Sequence, residues 1–282
     1  MAELRSHRLD RDAAVVSGPE AAAYLQGQLS QDVAGLGVGG SAWSWLLAPA
    51  GKVDALVRVT RTGPDTFVVD TDGGWGEAVV NRLTRFKLRT KADIAGTGVT
   101  VVALRGAGAA TAAASLGAGT PVRALWRGEE AADVLVVEGD VPPAPGPALD
   151  GDGWEAARIV AGVPVMGAEL SERTIPAETG LIDVTVSFTK GCYTGQELVA
   201  RIDSRGGHVP RHLRLLRPAS PVEPGAEITA GGKGAGAVTS AADTPGTGPV
   251  ALAYVGRAVT PGQHVDVGGV DAEVVLLGPI GG

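Results

Sequence analysis

Lys190-Gly191-Cys192-Tyr193-Thr194-Gly195-Gln196-Glu197 holds the only cysteine of the 282-residue chain. The thiol of Cys192 lies between a lysine and a glycine turn, just ahead of an amphipathic stretch in which Leu198, Val199 and Ile202 recur at helical spacing. Thr194 and Glu197 have the spacing of a capping box, with Thr194 as N-cap and Glu197 as the reciprocating residue. A glycine-rich turn feeding a helix start presents unpaired N–H groups, and Lys190 adds a full positive charge there, so the stretch predicts a site for an anionic or carboxylated ligand. Cys192 admits two readings. A thiol beside a cation and a helix N-terminus has a lowered pKa and becomes nucleophilic, whereas most free cysteines are small buried hydrophobes.

The neighbouring residues offer further chemistry. Tyr193 can stack on a flat heterocycle or pack beneath the loop. Gln196 and Glu197 can serve a ligand or their own helix start, and for Glu197 the cap alone is a sufficient explanation. Arg201 and Arg205, four apart, share a helix face that ends at Gly206-Gly207; cations suit the last turn of a helix, and gripping an acidic tail is the alternative. Two basic runs, Arg82-Arg85-Lys87-Arg89-Lys91 and Arg201-Arg205-Arg211-Arg214-Arg217, are either solvated faces or two sides of one anion site.

Lys-Gly-Cys-Tyr-x-Gly-Gln-Glu resembles the signature of the YgfZ family of folate-binding proteins, relatives of the T-protein (aminomethyltransferase) of the glycine cleavage system. Ile175-Pro176-Ala177-Glu178-Thr179-Gly180-Leu181 and Val186-Ser187-Phe188-Thr189 precede the signature, and Leu198-Val199-Ala200-Arg201 follows it, as in that family. Leu25-Gln26-Gly27-Gln28-Leu29-Ser30-Gln31-Asp32-Val33 and Gly51-Lys52 resemble two earlier blocks; Gly236–Ser240 and Ala251–Val255 resemble the C-terminal barrel. The resemblance implies a T-protein-like α+β fold: two interleaved ferredoxin-like units and a C-terminal antiparallel β-barrel, closing a central folate cavity. It implies tetrahydrofolate or a folate derivative as ligand, and iron–sulfur cluster assembly or client proteins as partners, through which tRNA modification is affected. It assigns Lys190, Tyr193, Gln196, Glu197, Arg201, Arg205 and Glu178 to the ligand, and Cys192, Lys190 and Asp54 to any chemistry. Two departures weaken aminomethyl transfer: the T-protein's acidic pair is reduced to Asp54 followed by Ala55, and the acid expected after Arg158-Ile159 is Val160. A folate-dependent transferase and a non-enzymatic scaffold with a vestigial pocket stand as alternatives.

The elements that must position these residues follow from periodicity. A capping box at Ser17 and Glu20 predicts a helix from Ala21 to Asp32. Ala42–Leu47, Val53–Thr60 and Thr66–Asp70 predict strands joined by Pro/Gly turns. Gly76–Arg85 predicts a helix and Leu88–Ile94 a strand. Val99–Leu104 and Val134–Val137 predict strands flanking an alanine-rich helix at Gly108–Leu116. Val141–Pro147 reads as a linker and Trp154–Ala161 as a helix. After the signature, Arg214–Arg217 enters a glycine-rich tail whose short strands, Glu227–Thr229, Gly236–Ser240, Val250–Val255, His264–Val267 and Ala272–Leu277, predict a small antiparallel barrel, with a bulged turn rather than a phosphate loop at Gly231–Gly236. Expected boundaries are 1–95, 96–212 and 213–282.

Composition narrows the classes. With aromatics at 4%, the core rests on aliphatic residues. A net charge of −7 argues against strong nucleic-acid binding. One cysteine allows no internal disulfide, which fits a cytoplasmic location. It cannot by itself complete a zinc or iron–sulfur site, and Pro210 interrupts the His208/His212 pair, so no metal site is expected. No apolar run is long enough to span a bilayer, and the first residues lack a signal-peptide core.

Overall fold

The computed structural model describes residues 2–281. Its centre is β1 (Arg5–Ser17), which runs antiparallel to β5 (Asp93–Arg105) along its full length and to β4 (Thr66–Asp72) over Arg11–Ser17. With β2 (Ser41–Leu47), β3 (Val53–Gly63), β6 (Thr120–Val122) and β7 (Ala131–Val136), these strands form one seven-stranded sheet in the order β2-β3-β4-β1-β5-β7-β6. Two α+β halves therefore meet across β1, and β5 spans the expected 95/96 boundary. No strand was expected at β1, because five charged residues obscure its alternation. Their partners are distant: Arg5 pairs with Glu129, and Arg8 donates to the Pro142 carbonyl.

One face of the sheet is covered by α1 (Ala21–Gln28), α2 (Gly76–Phe86) and α3 (Ala109–Ser115). Leu25, Val79 and Leu83 pack there with Val16, Val57 and Val69; Ala109 and Ala113 pack with Val102, Leu104 and Val134. The alternate side chains, Ala13, Val68, Val99, Val101 and Leu135, point to the opposite face. That face is closed by α4 (Gly151–Ala161) and the Leu125–Trp126 segment. Asp150 caps α4 by accepting the Gly153 N–H at 2.8 Å, and Gly162 ends it with φ +63°.

Beyond α4 the chain forms a 3₁₀ turn (Pro176–Thr179), a single turn α5 (Ile182–Thr185) and α6 (Gln196–Asp203). The closed barrel follows: β8 (Arg211–Pro218), β9 (Glu227–Ala230), β10 (Lys233–Thr244), β11 (Gly248–Gly256), β12 (His264–Val267) and β13 (Val270–Val275), ordered β10-β11-β8-β13-β12-β9. Its interior is aliphatic, from Leu216, Ile228, Ala253, Val255 and Val274, and its outer Leu213, Leu215 and Leu252 pack on Ile159 of α4. Arg158 fastens the same contact, donating to Glu169 at 3.2 Å and to the Ser240 hydroxyl at 2.8 Å.

Three local expectations are corrected. Ser17 closes β1 instead of capping α1, and the Glu20 carboxylate accepts the Lys91 N–H at 2.7 Å, so α1 begins without a side-chain cap. Residues 88–92 form turns, not a strand, with Leu88 at φ +47°. The N-cap of α6 is Gly195 at φ +81°, not Thr194, and no side chain caps that helix. The turn at Gly231–Gly236 is a hairpin whose register shifts between Gly234 and Gly236, as a bulge requires.

Candidate functional site

The signature loop is held by its lysine. Lys190 Nζ donates to the Gln26, Leu29 and Gln31 carbonyls at 2.5, 2.7 and 3.0 Å and lies 5.2 Å from the Tyr193 ring centroid. Gln26 and Leu29 are at the C-terminal end of α1, where the helix dipole favours a cation. Burial draws the Lys190 pKa down to about 8, with Asp32 opposing. In place of the expected anion, the ammonium meets backbone carbonyls with all three of its protons. The residue thereby ties the Lys190–Gln196 loop to the Gln26–Gln31 block, a contact reinforced by the Thr194 N–H donating to the Gly27 carbonyl at 3.1 Å.

The rest of the signature is structural or outward. The Tyr193 ring is buried, which raises its hydroxyl pKa to about 12, helped by Glu197. Gln196 Oε1 accepts the Tyr193 N–H at 3.2 Å. Cys192 is exposed, as are Glu197, Arg201 and Arg205. Glu178 is buried at the barrel contact, where it accepts the Ile175 N–H and pairs with Arg211 Nε at 3.2 Å. Asp54 pairs with Arg82 Nε of α2 at 2.9 Å. The same guanidinium donates to Gln28 and to the Leu47 carbonyl. The structure thus brings Lys190, Tyr193 and Gln196 together and sets Asp54 and Glu178 apart.

Glycine makes the loop's packing possible. Gly51, in the β2–β3 turn, and Gly195 face each other. A Cβ on Gly195 would stand 2.5 Å from the Ala48 carbonyl oxygen, at a φ of +81°. Gly195→Ala is expected to lower stability by about 2 kcal/mol or more, from left-handed strain plus the clash. A urea melt reads this directly, and an unchanged midpoint would show that the two turns do not interlock.

A second site, small and buried, lies on the other face of the sheet. A cavity of about 80 Å³ is enclosed by Trp43, Trp126, Trp154 and Arg58, with further walls from Arg11, Arg105 and Leu125. That is several times the roughly 10–15 Å³ one water requires. None of the nine residues expected from sequence lines it. Three of the chain's five tryptophans do, and Trp126 stacks on Trp154 at 5.2 Å between centroids.

Beneath the rings runs a ladder of alternating charge. Arg11 pairs with Asp72 at 2.6 Å and Asp70 at 2.7 Å; Arg58 pairs with Asp70 at 3.0 Å and Asp133 at 2.8 Å; Arg105 pairs with Asp133 at 2.8 Å. Three guanidinium groups thus balance three carboxylates. Burial opposes ionisation of Asp133, but Arg105 and Arg58 outweigh it and hold its carboxyl below the usual range. Burial likewise works against the Arg11 charge, and Asp70 and Asp72 outweigh it, so its pKa rises. Two donors at the cavity-lining residues have no partner among the described residues: Arg11 Nη2 and Arg105 Nε. Buried polar groups of this kind call for an acceptor, whether ordered water or ligand. Trp43 closes the cavity with Arg58 5.2 Å from its ring centroid.

These residues escaped the sequence reading because each sits singly within an apolar strand: Arg58 in Val57-Arg58-Val59, Asp133 in Ala132-Asp133-Val134. The available signal was the charge itself, at positions where alternation demands an inward apolar side chain.

No family model matches the chain. The chain is 32% identical over 226 residues to the tRNA-modifying protein YgfZ of Klebsiella pneumoniae, covering 69% of this chain and 66% of that protein. It is 29% identical over 197 residues to an uncharacterized protein of Haemophilus influenzae, covering 68% and 66%. A putative chloroplastic transferase of Arabidopsis thaliana matches at 35% over 151 residues, 51% of this chain and 33% of that one. The chain therefore spans about two thirds of the length of its bacterial relatives and a third of the plant one. Among solved structures, the glycine cleavage system aminomethyltransferase T of Bartonella henselae superposes with a TM-score of 0.80, covering 98% of this chain and 86% of that chain at 22% identity. At that identity the likeness concerns the fold.

Proposed function

The chain belongs to the YgfZ family, and from that premise we propose that it binds a reduced folate in the tryptophan-lined cavity and acts in iron–sulfur cluster assembly or repair, and thereby in tRNA modification. The observation that carries the reading is the pair of donors without a partner among the described residues, Arg11 Nη2 and Arg105 Nε, beneath aromatic walls. A pterin head is flat and rich in acceptors, so it can stack on indole and take both N–H groups. The charge-balanced ladder suits a neutral head rather than an anion.

The residues fit such a head on chemistry, and the cavity bounds its size. The bound folate would supply a one-carbon carrier. The chain's own residues stack, donate and exclude water. Asp54 does not line the cavity and is engaged by Arg82, which weighs against aminomethyl transfer by that carboxylate. Cys192, exposed on the signature loop, is then placed to meet partner proteins or their clusters. No helix among the described residues is long and apolar enough to cross a membrane, which is compatible with a cytoplasmic site of action.

The test is calorimetric titration with tetrahydrofolate and 5-formyl-tetrahydrofolate. Saturable micromolar binding is expected, weakened about tenfold in Trp43→Leu by loss of the stacking surface. Absence of saturable binding to the native protein would overturn the reading and favour a scaffold. Its cellular arm is iron–sulfur enzyme activity and modified-nucleoside content in a deletion strain, restored by the native gene and not by the Trp43 variant.

A further inference from the structure

Leu88 stands where this fold otherwise uses glycine. Lys87 is the C-cap of α2, and the residue after it turns into the left-handed region at φ +47°. Helices that stop in this way place glycine at that position, because a Cβ there crowds the following carbonyl. Every other residue at positive φ among the described ones is a glycine. No packing compensates for the strain: Leu88 is 89% exposed, more than any other large apolar side chain among the described residues. Neither the strain nor the exposure serves the fold.

The turn that carries the leucine is fixed. The Lys87 N–H donates to the Thr84 carbonyl at 3.2 Å, the Thr90 N–H to the Lys87 carbonyl at 3.0 Å and the Ala92 N–H to the Thr90 carbonyl at 3.0 Å. Lys91 is held through both groups of its backbone: its N–H donates to the Glu20 carboxylate at 2.7 Å, and its carbonyl accepts the Glu20 N–H at 3.2 Å. Gly18 allows this approach, since a Cβ there would stand 2.7 Å from the Lys91 carbonyl oxygen. A side chain presented by a preformed turn loses little backbone freedom when a partner covers it.

Positive charge surrounds the leucine. Residues 78–92 contain five cations and no acid, in a chain of net charge −7. Two of the five are engaged within the protein, Arg82 by Asp54, Gln28 and the Leu47 carbonyl, and Lys87 by the Ala92 carbonyl. Arg85, Arg89 and Lys91 are exposed, and no carboxylate pairs with them among the described residues. Arg85 and Phe86 also line a groove of about 460 Å³ that reaches Ala48 and Pro49 in the β2–β3 turn. The acid on that groove, Asp54, is the one Arg82 holds.

We propose that this turn and the groove beside it dock an acidic segment of a partner protein, which covers Leu88 with an apolar side chain and sets carboxylates against Arg85, Arg89 and Lys91. An apolar anchor ringed by charge is the pattern of a protein–protein contact, in which the anchor supplies affinity and the ring supplies orientation. RNA fits less well. Bases seek an open aromatic face, whereas Phe86 is covered by Arg82 at 3.9 Å and flanked by Arg85 at 6.0 Å. The negative charge of the whole chain also repels a long polyanion. The site lies on the helix-covered face of the sheet, away from the tryptophan-lined cavity, so the inference does not depend on the folate reading.

Fluorescence anisotropy tests it with a labelled synthetic peptide of about twelve residues in which paired leucines are flanked by glutamates. The comparison probes are the same peptide with serine for leucine, oligouridylate, and phosphatidylserine–phosphatidylcholine vesicles. The leucine peptide is expected to bind the native protein saturably, with a Kd of about 10–100 μM that rises with salt. The serine peptide should bind about tenfold more weakly. Leu88→Gly should weaken the leucine peptide about tenfold while its melting temperature stays level or rises by up to about 3 °C, because the left-handed strain is relieved. Arg89→Glu should weaken it by about tenfold as well, and Lys233→Glu, an exposed cation of the barrel, should leave it unchanged. A lower melting temperature in Leu88→Gly would show that the leucine serves the fold, and native affinity in that variant would show that it is no anchor; either overturns the proposal. Tighter binding of oligouridylate or of the vesicles overturns the protein partner, as does the absence of saturable binding by the leucine peptide.

Discussion

Asp133→Asn is expected to destabilise the protein by about 3–5 kcal/mol, because it leaves two buried guanidinium groups facing a neutral amide. Arg58 is fully buried and Arg105 is 3% exposed, so neither can turn to solvent for its lost partner. In a chain of this length the melting temperature should fall by about 10 °C. The effect has a pH signature. Asp133 is held below the usual carboxylate range in the folded protein, so its contribution is fully present above the unfolded pKa near 4 and is lost as pH falls through the folded value. Urea melts of native and variant protein should therefore differ most at neutral pH and converge progressively below pH 4. A constant difference down to pH 2.5 would mean that the ionised carboxylate is not what holds the ladder. Arg105→Met combined with Asp133→Leu should recover part of the loss, since removing both members of a buried pair costs less than orphaning one.

The ladder also marks how far the sequence could be read. Strands β2, β3 and β4, helices α2 and α4 and the barrel strands β9 to β13 follow from local periodicity and turn residues, and they appear within a few positions of expectation. β1 does not. Its charged residues look solvated in sequence but are answered by Asp70, Asp72, Glu129 and the Pro142 carbonyl, all more than 50 positions away. The same limit governs the site. The signature loop was legible as a motif, yet what Lys190 binds depends on carbonyls about 160 residues earlier. The cavity depends on Trp43, Arg58, Arg105, Asp133 and Trp154, which no local spacing relates. Local rules fix element type, whereas pairing between distant polar groups is set by how the elements assemble.

Lys190→Ala separates the two accounts of the signature. If Lys190 grips an anionic part of the ligand, the variant should lose a large fraction of its folate affinity and little stability. The geometry requires the reverse. Removing Nζ leaves the Gln26, Leu29 and Gln31 carbonyls without their common donor. Water can rehydrate them only in part, because the three bonds are part-buried. A loss of about 2–4 kcal/mol is expected, the lower end if water enters. The folate Kd measured on the folded variant should stay within about threefold of native, since Lys190 does not line the cavity. Protease nicking should appear first within residues 187–195, where the loop has lost its tether. Lys190→Met, which keeps the aliphatic stem over Tyr193 and removes only the charge, should nick at a rate close to that of Lys190→Ala. If Lys190→Met instead behaves as the native protein, stem packing rather than the three carbonyl bonds holds the loop. A Kd raised by tenfold or more in either variant, at unchanged stability, would return the lysine to the ligand.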